Sequence, residues 1–244
     1  MAAKYHRVML KITGESLLGD REYGIDSQAV DNLAKKIGKI KELGVEIAIV
    51  IGGGNIFRGV SAAKNGIDRA TADYMGMLAT VMNGMALEDA LNRAGVPTRL
   101  QSALSMPSVS EQFLRKRAIH HLEKGRIVIL AAGTGNPYVT TDTGASLHAL
   151  ELHCEVLMKA TKVDGVYDKD PQKFPDAKRY QTLSFADAIA QRLAVMDSAA
   201  MSMAMDNDLI IQVFELFDDN NLVRAVNGES VGTTISNQVT TKFA

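Results

Sequence analysis

The chain has a single cysteine among its 244 residues, Cys154, so no internal disulfide can form and the reducing cytosol is the expected compartment. No stretch approaches the ~20 apolar residues that span a bilayer. The first apolar run is broken at Lys11, short of the roughly 7–15 residues of a secretory signal core. A soluble cytoplasmic protein, with no membrane partner, is expected. An excess of either charge is also missing: 27 Lys plus Arg face 28 Asp plus Glu, for a net −1. That balance excludes an extended surface for nucleic acid but permits a basic pocket around a small anion. Hydrophobic residues at 46% and charged residues at 23% exclude a disordered or fibrous chain.

Several chemical signatures are absent too. There is no Gly-x-x-x-x-Gly-Lys-Ser/Thr, so the fold is not that of the P-loop NTPases. No Gly-x-Ser-x-Gly elbow marks a serine hydrolase. The five histidines (His6, His120, His121, His148, His153) lack metal-ligand spacing with cysteine, and His120 and His121 on a helix would point to different faces. No protein-built metal site is expected.

What is present is an alternation of β-branched runs with helical patterns. Strands are predicted at 7–12, 45–51, 98–103, 126–132, 155–159, 210–215 and 232–236. Helices are predicted at 27–43, 71–94, 109–123, 184–191 and 199–207. This order predicts an α/β fold, a mostly parallel sheet covered by helices on both faces. The least regular stretch, 162–182, reads as a hinge between two lobes or a long surface loop, within one continuous domain. Met75, Leu78, Met82 and Met85 recur at helical spacing, which suits either core packing or a subunit interface.

Twenty glycines are unremarkable as a total, but four of the loops after apolar runs contain them. They are Ile12-Thr13-Gly14-Glu15, Gly52-Gly53-Gly54-Asn55-Ile56-Phe57-Arg58-Gly59, Gly133-Thr134-Gly135-Asn136-Pro137, and Thr161-Lys162-Val163-Asp164-Gly165-Val166-Tyr167. In a parallel sheet these loops gather at the carboxyl edge, where ligands bind. Glycine lets backbone N–H groups approach a phosphate, and Lys11 and Arg58 supply charge beside two of the loops. Phe57 stands where the dinucleotide fingerprint needs its third glycine, so a Rossmann dehydrogenase is disfavoured.

Those loops, with Asp73-Tyr74-Met75-Gly76 and Gly232-Thr233-Thr234-Ile235, resemble bacterial uridylate (UMP) kinases of the amino-acid-kinase superfamily over nearly the whole chain. The resemblance implies a three-layer αβα sandwich, with an acceptor lobe roughly 1–153 and an ATP lobe roughly 154–244. It implies Lys11, Asp142 and Lys159 as catalytic residues. ATP is expected at Lys11, Ile12, Thr13, Gly14, Gly54, Arg58, Thr161, Tyr167 and Asp170. UMP is expected at Gly53, Asp73, Thr134, Gly135, Asn136, Pro137, Tyr138, Val139, Thr140 and Thr141. Asp197 also matches a family aspartate, with no role attached.

The family can carry a GTP effector site, which would fall on Gly19, Asp20, Arg21, Glu22, Tyr23 and Gly24 with Arg99 and Arg126; the same loop also reads as an ordinary surface turn. GTP as activator, UTP as inhibitor, Mg²⁺ carried with ATP, and a homohexamer complete what the resemblance implies. The competing readings are an amino-acid carboxylate kinase and a nucleotide sensor without turnover. Thr134-Gly135-Asn136-Pro137 argues against the first, and the retained Lys11, Asp142 and Lys159 against the second.

Overall fold

The strands form because their residues are apolar on both faces, and burial on both faces requires helices above and below. In the computed structural model, which describes residues 3–57, 66–193, 195–216, 218 and 220–244, ten strands make one sheet. They are β1 (Arg7–Ile12), β2 (Glu46–Ile51), β3 (Thr98–Ser102), β4 (Glu111–Gln112), β5 (Ile127–Ala131), β6 (Val156–Thr161), β7 (Tyr180–Leu183), β8 (Ile210–Glu215), β9 (Thr233–Ile235) and β10 (Lys242–Phe243). Their order is β10-β7-β9-β8-β6-β1-β2-β5-β3-β4, and the run from β8 to β4 is parallel throughout.

Alternation along each strand divides the core into two layers. Val8, Leu10 and Ile12, with Ile47, Ile49 and Ile51, pack against α1 (Ser27–Lys41), α2 (Arg69–Arg93) and α7 (Asn221–Val226). Met9, Ala48, Val50, Val128, Leu130 and Leu157 face α3 (Arg115–Glu123), α4 (Thr141–Glu151), α5 (Phe185–Ala190) and α6 (Ser198–Asp206). The three-layer αβα arrangement follows. Each fully buried aliphatic side chain in these layers contributes about 1.5–3 kcal/mol.

Helix boundaries obey local chemistry. Asp26 accepts a hydrogen bond from Ala29 N at 2.9 Å to start α1, and Asp68 does the same for Thr71 N to start α2. α3 is shorter than its sequence pattern predicts: Glu111 and Gln112 join the sheet beside β3, so the helix starts only at Arg115. The irregular stretch 162–182 holds a β-bridge between Tyr167 and Arg179 and the start of β7. Among the described residues, no helix is long and apolar enough to cross a membrane.

β1 is the strand on which the chain reverses direction across the sheet: β2 and β5 lie on one side of it, β6 and β8 on the other. A cleft opens outside the carboxyl ends of the strands at such a switch. The four glycine-containing loops follow β1, β2, β5 and β6, which are consecutive in the sheet.

Candidate active site

Lys11 of β1 and Lys159 of β6 are register partners on adjacent parallel strands, so both ammonium groups rise from the same level of the sheet. Between them stands Asp142 in the first turn of α4: Lys11 Nζ lies 2.8 Å from its Oδ1, and Lys159 Nζ lies 2.8 Å from its Oδ2. Lys159 also donates to the Val195 carbonyl. Burial alone would raise the Asp142 carboxyl, but the two ammonium groups outweigh it and hold the group below the usual carboxylate range. Burial pushes the Lys159 ammonium below the ordinary lysine range; Asp142 opposes that shift and Lys11 adds to it.

A second carboxylate closes the cluster. Asp197 caps α6 by accepting from Ala200 N at 2.9 Å, and it accepts the hydroxyls of Thr140 and Thr143. Burial would raise the Asp197 carboxyl too, but these hydrogen bonds keep it below the usual range. Thr140 in turn caps α4, accepting from Asp142 N at 3.1 Å. The cap that starts α4 therefore fixes where Asp142 sits.

On one side of this cluster is a cavity of about 180 Å³. Gly53, Asp73, Thr134, Asn136, Val139, Thr140 and Thr141, all expected at the UMP site, line it. Gly54, expected on the ATP side, lines the same cavity. Arg69, which the sequence reading did not single out, is there too: its Nε lies 2.9 Å from both oxygens of Asp73. The i,i+4 Arg-Asp spacing at a helix start was the available signal. Asp73 also accepts from Tyr138 N at 2.8 Å, tying α2 to the loop after β5. The Tyr138 ring is exposed and sits over the Arg69 guanidinium, while Gly135 takes the left-handed conformation (φ 76°) beside Ala103. Pro137 joins Asn136 to Tyr138 at the rim.

The glycines of the β2 loop serve packing as well as access. A Cβ on Gly53 would stand 2.8 Å from Gly76 O and 2.9 Å from Ala79 Cβ, so the bare Cα is what lets α2 lie against the loop. Asn55 and Asn83 lock that contact with paired amide hydrogen bonds of 3.0 and 2.7 Å, buried between loop and helix.

On the other side of the cluster is a cavity of about 500 Å³ that Lys159 itself lines, with Thr161, Val163, Tyr167 and Asp170. The Tyr167 hydroxyl donates to Asp164 at 2.6 Å, a bond that raises its pKa above the ordinary tyrosine value. Ile12 ends β1, Thr13 caps the short 3₁₀ turn Gly14–Leu17, and Gly14 packs against Gly52. Arg58 lies outside the described residues.

The residues expected for an effector are not brought together. Gly19, Asp20 and Arg21 line a cavity of about 1010 Å³ beside α1, Glu22 and Tyr23 are exposed, and Gly24 is bound to Asn55. Arg99 and Arg126 lie at the amino ends of β3 and β5, the opposite edge of the sheet from that loop. There Arg126 reaches the His121 ring at 3.0 Å and His121 reaches Glu111 at 3.0 Å.

Among the described residues no group of three or more His, Cys, Asp or Glu side chains is arranged to hold a metal. The cluster is instead two ammonium groups spaced by a carboxylate between two cavities, which suits binding and neutralising phosphoryl oxygens.

Known proteins carry the same architecture. The chain is similar to the UMP kinase of Bacillus anthracis, with 37% identity over 98% of this chain and 99% of that one, at a TM-score of 0.94. It is similar to the UMP kinase of Ureaplasma parvum at 36% identity over 96% and 99%, with a TM-score of 0.89. The uridylate kinase of Archaeoglobus fulgidus is more distant, at 28% identity over 94% and 99% and a TM-score of 0.73. Residues 6–215 match the amino acid kinase family, and with this coverage the chain belongs to that family.

Proposed function

We propose that this chain transfers the γ-phosphoryl group of ATP to UMP, giving UDP and ADP, in the supply of pyrimidine nucleotides. The observation that carries the reading is Asp142, which follows Thr140 and Thr141 of the acceptor cavity in the chain and holds Lys159 on the wall of the other cavity. UMP takes the smaller cavity, with Asp73 and Arg69 at one wall and the loop after β5 at the other. ATP takes the larger, with Thr161, Tyr167 and Asp170 around base and ribose, and Ile12, Thr13 and Gly14 near its phosphates.

The UMP phosphate is already anionic at neutral pH and needs no general base. The protein's task is to hold donor and acceptor in line and to neutralise the charge that develops between them. Lys11 and Lys159, spaced by Asp142, meet the equatorial and bridging oxygens of the transferring group. Asp142 and Asp197 are engaged by protein donors, so Mg²⁺ bound to ATP would be held by phosphates and water and would offset phosphate charge there.

The two cavities correspond to an acceptor lobe at 1–153 and an ATP lobe at 154–244. The exposed apolar stripe of α2, with Leu78 at 47% and Met82 at 52% exposure, supports assembly into a homohexamer. The cytoplasm is the site of action, and GTP and UTP are the effectors to be assayed first.

A coupled ADP-release assay with UMP, CMP, dCMP, glutamate and aspartate as acceptors tests the assignment. Turnover with UMP alone is expected. Turnover with an amino acid would make the chain a carboxylate kinase, and no turnover with any acceptor would make it a sensor; either result refutes the proposal.

A further inference from the structure

The floor of the acceptor loop is gripped by a residue that the phosphoryl transfer itself does not use. His148 lies in the last turn of α4, the helix that begins with Asp142, and is only 4% exposed. Its Nε2 is 3.0 Å from the Gly133 carbonyl and its Nδ1 is 2.7 Å from Glu151 Oε2. The ring packs edge-on against Phe113, with 4.6 Å between centroids.

A peptide carbonyl can only accept, and so can an ionised carboxylate. Nε2 therefore donates to the Gly133 carbonyl, and Nδ1 shares a hydrogen with Glu151 Oε2. Around the ring, Glu151 on its own helix is the charged partner, while Phe113 and the Gly133 peptide are neutral. Arg115 of α3 reaches the Glu151 main-chain carbonyl at 2.6 Å.

The segment it grips needs external support. Ala132 has left-handed backbone at φ 63°, a conformation that a residue with a side chain rarely keeps unaided, and it leads directly into Gly133 and Gly135, which take the same region freely at φ 53° and 76°. Thr80 Oγ1 accepts from Ala132 N at 2.8 Å on the α2 side. His148 supplies the counterpart from the α4 side. Gly133, Thr134 and Asn136 then present their atoms to the acceptor cavity.

We propose that His148 is a positioning residue for the phosphoryl acceptor, fixing the Gly133 carbonyl and through it the wall of the acceptor cavity. This rests on the reading of that cavity as the UMP site. The test uses His148→Phe, which keeps a ring against Phe113 but removes both ring nitrogens, and His148→Gln, whose amide restores a donor. Steady-state kinetics with UMP and ATP are combined with hydrogen–deuterium exchange of residues 133–141 in the protein without substrate.

His148→Phe is expected to raise the KM for UMP about tenfold, the equivalent of about 1.4 kcal/mol, with kcat and the KM for ATP within about twofold. Exchange across 133–141 is expected to quicken, and His148→Gln to recover most of both effects. Unchanged exchange, an unchanged KM for UMP in an active enzyme, or an equal rise for both substrates overturns the proposal. If the wild-type chain turns over no UMP, the reading of the site fails, while the exchange comparison still decides whether His148 holds the loop.

Discussion

Asp142→Asn changes the charge at the centre of the site while keeping the shape of the side chain. Each carboxylate oxygen lies 2.8 Å from an ammonium nitrogen, and the three side chains are only 11–15% exposed. At that separation and an effective dielectric near 20, the Coulomb attraction is about 6 kcal/mol per pair before desolvation is subtracted. Removing one partner of a buried pair costs about 3–5 kcal/mol net, because the remaining charge is left unpaired. Here two ammonium groups would be left facing each other, and Lys159, whose charged form burial already disfavours, would hold its proton less tightly still.

The folded variant would then bind fewer protons than the unfolded chain, where the lysine is charged at neutral pH. Stability rises with pH wherever the unfolded state binds more protons, by about 1.4 kcal/mol per pH unit for one proton. Denaturant unfolding of Asp142→Asn is therefore expected to reveal a deficit of several kcal/mol at pH 7 that narrows toward pH 9. In the wild type the depressed Asp142 value acts in the same direction but in the acid range: its stabilisation is present at neutral pH and disappears as the pH falls through the folded value. The loss of two charge-assisted anchors, at about 1.5–3 kcal/mol each, sets the fall in kcat at about 10²–10⁴. Near-normal kcat in the ADP-release assay, or a stability deficit that widens with pH, would refute this account of the centre.

Lys11→Ala is expected to lower kcat by orders of magnitude while the circular dichroism spectrum stays native; near-normal turnover removes Lys11 from the mechanism. Gly53→Ala must push α2 away from its loop, since the new methyl meets Gly76 O at 2.8 Å. The expected cost is about 1–3 kcal/mol in denaturant unfolding, and unchanged stability would mean that α2 is not seated as described. Wild-type chain is expected to sediment as an assembly that Leu78→Glu with Met82→Glu breaks apart, and a wild-type monomer at working concentration defeats the α2 interface.

Much of the fold was legible because period and hydrophobicity agreed. β1 and β8 occupy the predicted residues, and α1 and α2 differ only at their ends. α4 was not legible. Its sequence TDTGASLHALE is rich in Thr, Gly and Ala, and it is buried on several sides, so no apolar stripe stands out. Its Thr140 cap lay inside a segment read only as a nucleotide loop. α3 was over-extended because nothing local distinguishes Glu111-Gln112 from a helix start; the neighbouring β3 decides it.

The cluster itself was legible as residue types but not as geometry. Lys11 and Lys159 stand 148 positions apart in sequence (159 − 11), and only the β1–β6 pairing makes them neighbours. The methionine stripe resolves by side: Met77 is buried, whereas Met75, Met82 and Met85 face outward with Leu78. Arg69 and Asp197 were missed or left without a role because each acts through a partner, Asp73 for one and Thr140 with Thr143 for the other.

The side-by-side placement of β1 and β6 also has a consequence for how the molecule comes into being. The residues that line the smaller cavity, among them Gly53, Asp73, Thr134 and Thr141, leave the ribosome before β6 does, and β3 and β5 pair on the opposite flank of β1. A nascent chain can thus shape the smaller cavity while the second ammonium and the wall of the larger cavity have yet to be translated. Lys11 and Lys159 become neighbours only when β6 pairs with β1, so the two-ammonium cluster cannot form until β6 has been made.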